Sequence, residues 1–328
     1  MKITVIGCGR WGSLITWYLD RQGHSVTLYG RASSRHMQAF LATRQNDLLT
    51  LPERVALSAN LGDAVREAEV IILAVASQGL RGLMGELAPF GLRDRAFCLC
   101  MKGIEVESGK RLTEIVRENT DPSNGVAVWL GPGHVQEFYA GVPNCMVIDS
   151  EDEALKAKLV NAFSGDLIRF YYGQDLLGNE IGAASKNVIG IAAGFLDGMG
   201  LTTLKGALMS RGTREIARLI EAMGGNPFSA YGLCHLGDYE ATVFSPYSHN
   251  RAFGEAFVQG KPYSALAEGY YTAAAMQTLK RRYAVDLPIC DAVYRTLYEG
   301  ADAKEQIDGL FRRSLKREID GRQAGEEV

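Results

Sequence analysis

Lys2-Ile3-Thr4-Val5-Ile6-Gly7-Cys8-Gly9-Arg10-Trp11-Gly12-Ser13-Leu14-Ile15 is the stretch from which the rest of the chain takes its reading. A β-rich apolar run breaks at Gly7, and a helix-forming run begins after Gly12 and lasts until Gly23. Glycines spaced in this way, between a strand and a helix at the start of a βαβ unit, have separate tasks. Gly7 permits the tight turn, Gly9 lets a pyrophosphate come close to the backbone, and Gly12 lets helix and strand pack closely. Arg10 and Trp11 sit inside the same turn. Unpaired amides at the helix N-terminus, with the helix dipole behind them, favour an anion there. The plainer alternative is a glycine-rich turn that holds no nucleotide.

Residues 26–29, 70–75, 96–101, 126–130 and 145–148 repeat the β-rich pattern and alternate with amphipathic segments up to about residue 170. This alternation predicts an α/β fold built on a doubly wound, mostly parallel sheet. Strands covered on both faces read as continuous apolar runs, as Val70-Ile71-Ile72-Leu73-Ala74-Val75 does. Residues 62–69 read as a helix with Asp63 in its first turn and Ala64, Val65 and Ala68 toward the sheet. Beyond about residue 175 the β-rich runs stop, and 180–195, 207–223, 263–283 and 291–310 have helical character. We therefore expect a dinucleotide-binding domain over 1–174 and a helical substrate-binding and catalytic domain over 175–328. Residues 317–328, charged and poor in apolar side chains, are expected to fray.

A length of 328 residues suits two domains, and 47% hydrophobic with 22% charged residues is an ordinary globular composition. The 35 basic and 38 acidic side chains nearly balance, giving a formal charge of −3. Such a chain exerts no long-range pull on nucleic acid or on an anionic membrane, so neither is an expected partner. Residues 181–196 are nearly uncharged but contain Lys186, and they fall short of the roughly 20 apolar residues a membrane span requires. The apolar run before Gly7 is too short for a secretory signal, which points to the cytoplasm. Six cysteines lack the spacing of a disulfide framework, and five histidines are scattered, so buried free thiols and no metal site are expected.

The second strand ends Tyr29-Gly30-Arg31 rather than on the carboxylate that usually holds the ribose hydroxyls of NAD. With Ser33, Ser34 and Arg35 nearby, Arg31 suits a 2'-phosphate and leans the choice of cofactor from NAD toward NADP; the bland reading leaves it stacked on adenine or in solvent. Between Glu180 and Asp197 the only charged side chain is Lys186. A lysine in so apolar a helix is paired, desolvated or snorkelling. Desolvation lowers its pKa toward neutrality and suits it to exchange a proton during hydride transfer. Lys102 follows a buried strand at the sheet edge where doubly wound folds bind ligands. The loop Gly131-Pro132-Gly133-His134 reaches the same edge, with His134 either a second proton carrier or a loop liner. Gly237-Asp238 and Ser248-His249-Asn250-Arg251 add a carboxylate that suits an ammonium and side chains that suit an anionic or hydroxylated substrate. Read as isolated residues in a loop, they are solvated polar groups.

Taken together the pieces resemble the bacterial NAD(P)-dependent glycerol-3-phosphate dehydrogenase family, from the first strand to about residue 300. The motifs that carry the resemblance include the turn 7–12, Asn46 to Leu51-Pro52, Ala74-Val75-Ala76-Ser77, Lys102-Gly103-Ile104, residues 131–137, 180–187, Asp197-Gly198, residues 210–212, Gly237-Asp238 and 248–254. The resemblance implies an N-terminal Rossmann domain, a C-terminal helical domain, and reversible reduction of dihydroxyacetone phosphate to sn-glycerol 3-phosphate for phospholipid synthesis. It implies that Lys186 donates the proton to the ketone oxygen, with Lys102 and Asp238 beside it. Asn187, Thr242 and Asn250 match family positions near the substrate, Ser248, His249, Arg251, Gly131 and His134 fall in the same region, and Ser77, Lys102 and Arg251 in the cofactor region. A homodimer is expected from the apolar faces of the helical half.

Two departures fall in the substrate region. Where the family reads Ser-Arg-Asn, with the arginine gripping the substrate phosphate, this chain has Ser248-His249-Asn250. Arginine is a permanently charged fork, whereas histidine is mostly neutral at pH 7; His249 or the neighbouring Arg251 is then the anchor. Residues 201–205, Leu-Thr-Thr-Leu-Lys, replace a glycine-rich stretch and are one residue shorter. A same-fold dehydrogenase for another small anionic hydroxy compound, and a nucleotide-binding protein without turnover, are the alternative readings.

Overall fold

A computed structural model describes residues 1–315 and residue 318, so the expectation for 317–328 lies, Glu318 apart, outside the described residues. The chain forms one eight-stranded sheet: β1 (Lys2–Ile6), β2 (Ser25–Tyr29), β3 (Ala56–Ser58), β4 (Val70–Leu73), β5 (Ala96–Leu99), β6 (Gly125–Leu130), β7 (Asn144–Ser150) and β8 (Ile168–Tyr172). Their order across the sheet is β3-β2-β1-β4-β5-β6-β7-β8. All neighbours are parallel except β6 and β7, which makes the sheet mostly parallel, as its apolar runs require. The helices α1 (Arg10–Arg21), α2 (Arg35–Thr43), α3 (Leu61–Val65), α4 (Leu80–Leu87), α5 (Leu112–Glu118), α6 (Val135–Tyr139) and α7 (Glu153–Phe163) run between the strands.

Alternate residues along each central strand enter different cores. Ile3, Val5, Val70, Ile72, Cys98, Ala127 and Trp129 join one buried cluster. Ile6, Ile71, Leu73, Phe97, Leu99, Val126 and Val128 join the other, on the opposite face. A strand with period 2 and two covered faces has no polar position to spare, which is why these segments were legible. β8 was not read as a strand: its burial alternates from Ile168 to Tyr171 because it is an edge with one covered face. β3 has three residues, too few to give a pattern.

The helical half comprises α8 (Leu176–Gly198), α9 (Lys205–Ala222), α10 (His249–Val258), α11 (Glu268–Tyr283), α12 (Pro288–Tyr298) and α13 (Ala303–Phe311), and no strand is present beyond residue 172 among the described residues. No helix of the described residues is long and apolar enough to cross a membrane. Three expectations need correction. The stretch 291–310 is two helices, broken at Gly300, whose φ is +69°, and restarted by Asp302, whose carboxylate accepts from the Glu305 amide at 2.9 Å. The helix expected over 263–283 starts at Glu268, where the side-chain Oδ1 of Asn250 accepts from the free amide of Gly269 at 2.9 Å. Residues 248–251, expected in a loop, begin a helix: the Ser248 hydroxyl accepts from the Arg251 amide at 3.3 Å and caps α10.

The third core cluster surrounds α8, which is buried from Gly178 to Leu196. Here α8 and α10 approach backbone to backbone. A methyl group placed on Gly194 would lie 2.1 Å from the Arg251 carbonyl oxygen, and one on Gly254 would lie 2.3 Å from that of Ile191. No rotamer change relieves a clash with backbone. We expect Gly254→Ala to lower stability by about 1–3 kcal/mol in urea denaturation. Gly82→Ala, in α4 with nothing within 4 Å of the added carbon, should leave stability unchanged or raise it by up to about 1 kcal/mol.

Candidate active site

The glycine-rich turn forms where β1 hands the chain to α1 beside the end of β4. Gly7 has φ of +116°, and a Cβ there would sit 2.2 Å from the Ala74 carbonyl oxygen; one on Gly12 would sit 1.8 Å from the Gly7 carbonyl oxygen. Those two positions are closed by the protein's own backbone. Gly9 differs, because an added Cβ meets nothing within 4 Å, and, as the N-cap of α1, it offers the first amides no side-chain cap. An open backbone approach to uncapped helix amides fits the pyrophosphate of a dinucleotide.

At the carboxyl edge of the sheet a cleft of about 330 Å³ separates the sheet from the helical half, lined among others by Trp11, Lys102, His134, Lys186, Asn187 and His249. Lys102 stands just beyond β5, Lys186 projects from the middle of α8, and Asp238 comes from the segment between α9 and α10. Asp238 Oδ2 lies 2.6 Å from Lys102 Nζ and 2.9 Å from Lys186 Nζ, so one carboxylate faces two ammonium groups. Lys102 also donates to the Gly131 carbonyl oxygen at 2.7 Å, and Lys186 to Thr242 Oγ1 at 2.5 Å. Gly131 therefore takes part here through its carbonyl. Each ammonium has three N–H groups, and the contacts named occupy two of them.

Burial pushes the Lys186 pKa down to about 8; the Asp238 charge opposes this shift and the Lys102 charge adds to it. His134 is also held below the ordinary histidine range, chiefly by burial. Its Nε2 is buried without a hydrogen-bond partner among the described residues, and its ring meets the edge of Tyr247 with centroids 5.4 Å apart. An unsatisfied buried nitrogen lining a cleft is placed to meet a polar ligand atom.

The two asparagines join the walls of the cleft. Asn250 Nδ2 donates to Asn187 Oδ1 at 3.0 Å, and Asn187 Nδ2 donates to the Lys102 carbonyl oxygen at 3.2 Å. Ser77 meets Glu268: its amide donates to Oε1 at 3.1 Å and its hydroxyl donates to Oε2. Glu268 lines the cleft, and burial raises its pKa. Sequence reading passed over Glu268, since nothing local marks an acid that acts across 191 residues. His249 lies between Arg10, whose Nη1 is 3.0 Å from its Nε2, and the Tyr263 hydroxyl, 2.8 Å from its Nδ1.

Two expected side chains are held by carboxylates. Arg251 Nη1 is 2.9 Å from both Asp197 Oδ2 and Glu255 Oε2, and its Nε donates to the Ser245 carbonyl oxygen at 3.2 Å. Its charge is spent inside the helical half. Arg31 stands at the exposed end of β2 in an ion pair with Glu86 at 2.7 Å.

Comparison with known proteins places these features in a lineage. Residues 2–156 match the model of the NAD-dependent glycerol-3-phosphate dehydrogenase N-terminus, and residues 175–308 match that of the C-terminus. The chain is 36% identical to glycerol-3-phosphate dehydrogenase [NAD(P)+] of Halorhodospira halophila over 97% of its own length and 98% of the relative's. It is 34% identical to the protein of the same name from Fusobacterium nucleatum, with 97% and 99% of the two chains covered. The crystal structure of glycerol-3-phosphate dehydrogenase from Coxiella burnetii superposes with a TM-score of 0.89 at 26% identity, covering 95% of this chain and 99% of that one.

The shared carboxylate generates a stability prediction. Asp238→Asn leaves two adjacent ammonium groups without their counter-charge, and should cost about 3 kcal/mol in urea denaturation at pH 7. Adding Lys102→Met should restore part of the loss, as a double-mutant cycle would read.

Proposed function

The chain belongs to the NAD-dependent glycerol-3-phosphate dehydrogenase family, and from that premise we propose how its own residues carry out the reversible reduction of dihydroxyacetone phosphate to sn-glycerol 3-phosphate. The observation that carries the reading is the Lys186–Asp238–Lys102 cluster, which lines the same cleft as Trp11 of the dinucleotide turn. We assign cofactor binding to residues 1–174 and substrate binding to 175–328. When bound, a nicotinamide cofactor supplies or accepts the hydride.

Lys186 is the proton carrier. With a pKa of about 8 it is mostly an ammonium at pH 7 and still gives up its proton at small cost. Its third N–H is available to the ketone oxygen, while Asp238 and Thr242 fix its other two. As the oxygen gains negative charge, the Lys186 proton passes to it; in the other direction the neutral amine takes the proton of the secondary alcohol. Lys102 adds positive charge beside the developing alkoxide and is held in place by Asp238 and Gly131. Asn187, Thr242, Ser248 and Asn250 form the wall against which the substrate lies, and His134 offers its open nitrogen to a substrate oxygen. Gly7, Gly9, Arg10, Trp11, Gly12 and Ser77 surround the cofactor. The product is the glycerol backbone that phospholipid synthesis requires.

For the cofactor we favour NADP while expecting NAD to serve. Among the described residues Arg31 is held by an exposed ion pair with Glu86, worth roughly 0–1 kcal/mol, so a 2'-phosphate displaces it at little cost. A homodimer is supported by the adjacent, exposed Phe228 and Tyr231 on the helical half, 76% and 50% accessible. Six unpaired cysteines suit a reducing compartment, and we place the enzyme in the cytoplasm.

Purified protein should oxidise NADPH and NADH with dihydroxyacetone phosphate, and Lys186→Ala should lower kcat by about 10²–10⁴ while leaving nucleotide affinity intact. Ketone reduction needs the ammonium and should decline above pH 8; alcohol oxidation needs the amine and should decline below it. Opposite limbs in the two pH profiles test Lys186 as the shared group. Arg31→Ala should raise KM for NADPH roughly tenfold and leave that for NADH unchanged.

A further inference from the structure

A phosphorylated substrate needs a permanent counter-charge, and the cations around the cleft are not equally free to give one. Lys102 and Lys186 share Asp238. Arg251 is neutralised by Asp197 and Glu255. Arg10 has no carboxylate within 4.0 Å among the described residues; its one side-chain hydrogen bond is to His249. Because a guanidinium only donates, Nε2 of His249 is the acceptor in that bond. The ring proton then sits on Nδ1 and goes to the Tyr263 hydroxyl at 2.8 Å. His249 is thereby a neutral ring with its donor engaged, unable to grip an anion by itself, but it holds the Arg10 fork at the cleft it lines. Four N–H groups of that fork remain.

We propose that Arg10, reaching across from the dinucleotide turn and seated on His249, is the residue that anchors the phosphate of the substrate, in place of an arginine at position 249. The backbone of residue 10 serves the cofactor turn while its side chain serves the substrate, so His249 is a positioning residue and Arg10 a specificity determinant. The inference rests on the dehydrogenase reading given above.

The test measures KM and kcat for dihydroxyacetone phosphate, KM for NADH and NADPH, and calorimetric binding of sn-glycerol 3-phosphate to the NAD-loaded protein. Arg10→Ala should raise KM for dihydroxyacetone phosphate and the Kd of sn-glycerol 3-phosphate by roughly ten- to a hundredfold, with a smaller fall in kcat and little change for the nucleotides. Arg10→Lys, which keeps the charge and guards against a folding artefact, should lose less. His249→Arg added to Arg10→Ala should recover most of the affinity. Unchanged KM and Kd in Arg10→Ala overturn the proposal, and so does an equal loss for the nucleotides, which would assign Arg10 to the cofactor pyrophosphate. Wild-type protein that neither turns over dihydroxyacetone phosphate nor binds sn-glycerol 3-phosphate overturns the activity and the anchor together.

Discussion

One carboxylate decides how the two halves of the molecule meet. Asp238 belongs to the helical half and Lys102 to the end of a strand, and their contact at 2.6 Å fixes the sheet edge against α8. Lys186 is held by the same oxygen. Burial alone would drive Lys186 toward the neutral amine, and Asp238 alone would keep it charged; the Lys102 ammonium tilts the balance back. A lysine pKa lowered to about 8 is the result of these effects, with burial and Lys102 acting against Asp238. The fold's contribution is to bring residues 102, 186 and 238 to one point.

A second tie across the halves is formed by Glu180, at the start of α8. Its carboxylate accepts from the Thr113 amide at 3.0 Å, from the Thr113 hydroxyl at 2.7 Å and from Arg111 at 2.7 Å. Burial raises its pKa and these partners pull it back. Together with Ser77–Glu268 and Arg10–His249, these bonds add links from the sheet side to the helix side. Lys102, Lys186 and Asp238 thus stand on elements that are themselves held, which is the requirement for a preorganised site.

Much of this was readable beforehand because the physics is local. The strands β1, β4, β5 and β6 are buried on both faces and showed as apolar runs, broken in β1 by Thr4; the turn at residues 7–12 showed as three glycines at fixed spacing. Lys186 stood out as a lone charge in an apolar helix. What escaped was non-local. Glu268 gains its place from Ser77, 191 residues away, and Arg10 from His249, 239 residues away. Arg251 looked free in the sequence because its carboxylate partner Asp197, 54 residues back, is supplied by α8. The helix α10 was missed because its start signal, a serine followed by polar residues, also describes a solvated loop.

The crossing of α8 and α10 sets what a lineage can alter. Where Gly194 and Gly254 bring main chain against main chain, no side chain exists to absorb a change, and drift there is closed on steric grounds. The cleft wall five residues before Gly254 has a different character: at residue 249 a side chain makes hydrogen bonds with Arg10 and Tyr263, which are no part of that backbone contact. A rigid seam beside a replaceable surface means that the cleft wall at residue 249 can change its hydrogen bonds without the crossing of α8 and α10 having to move.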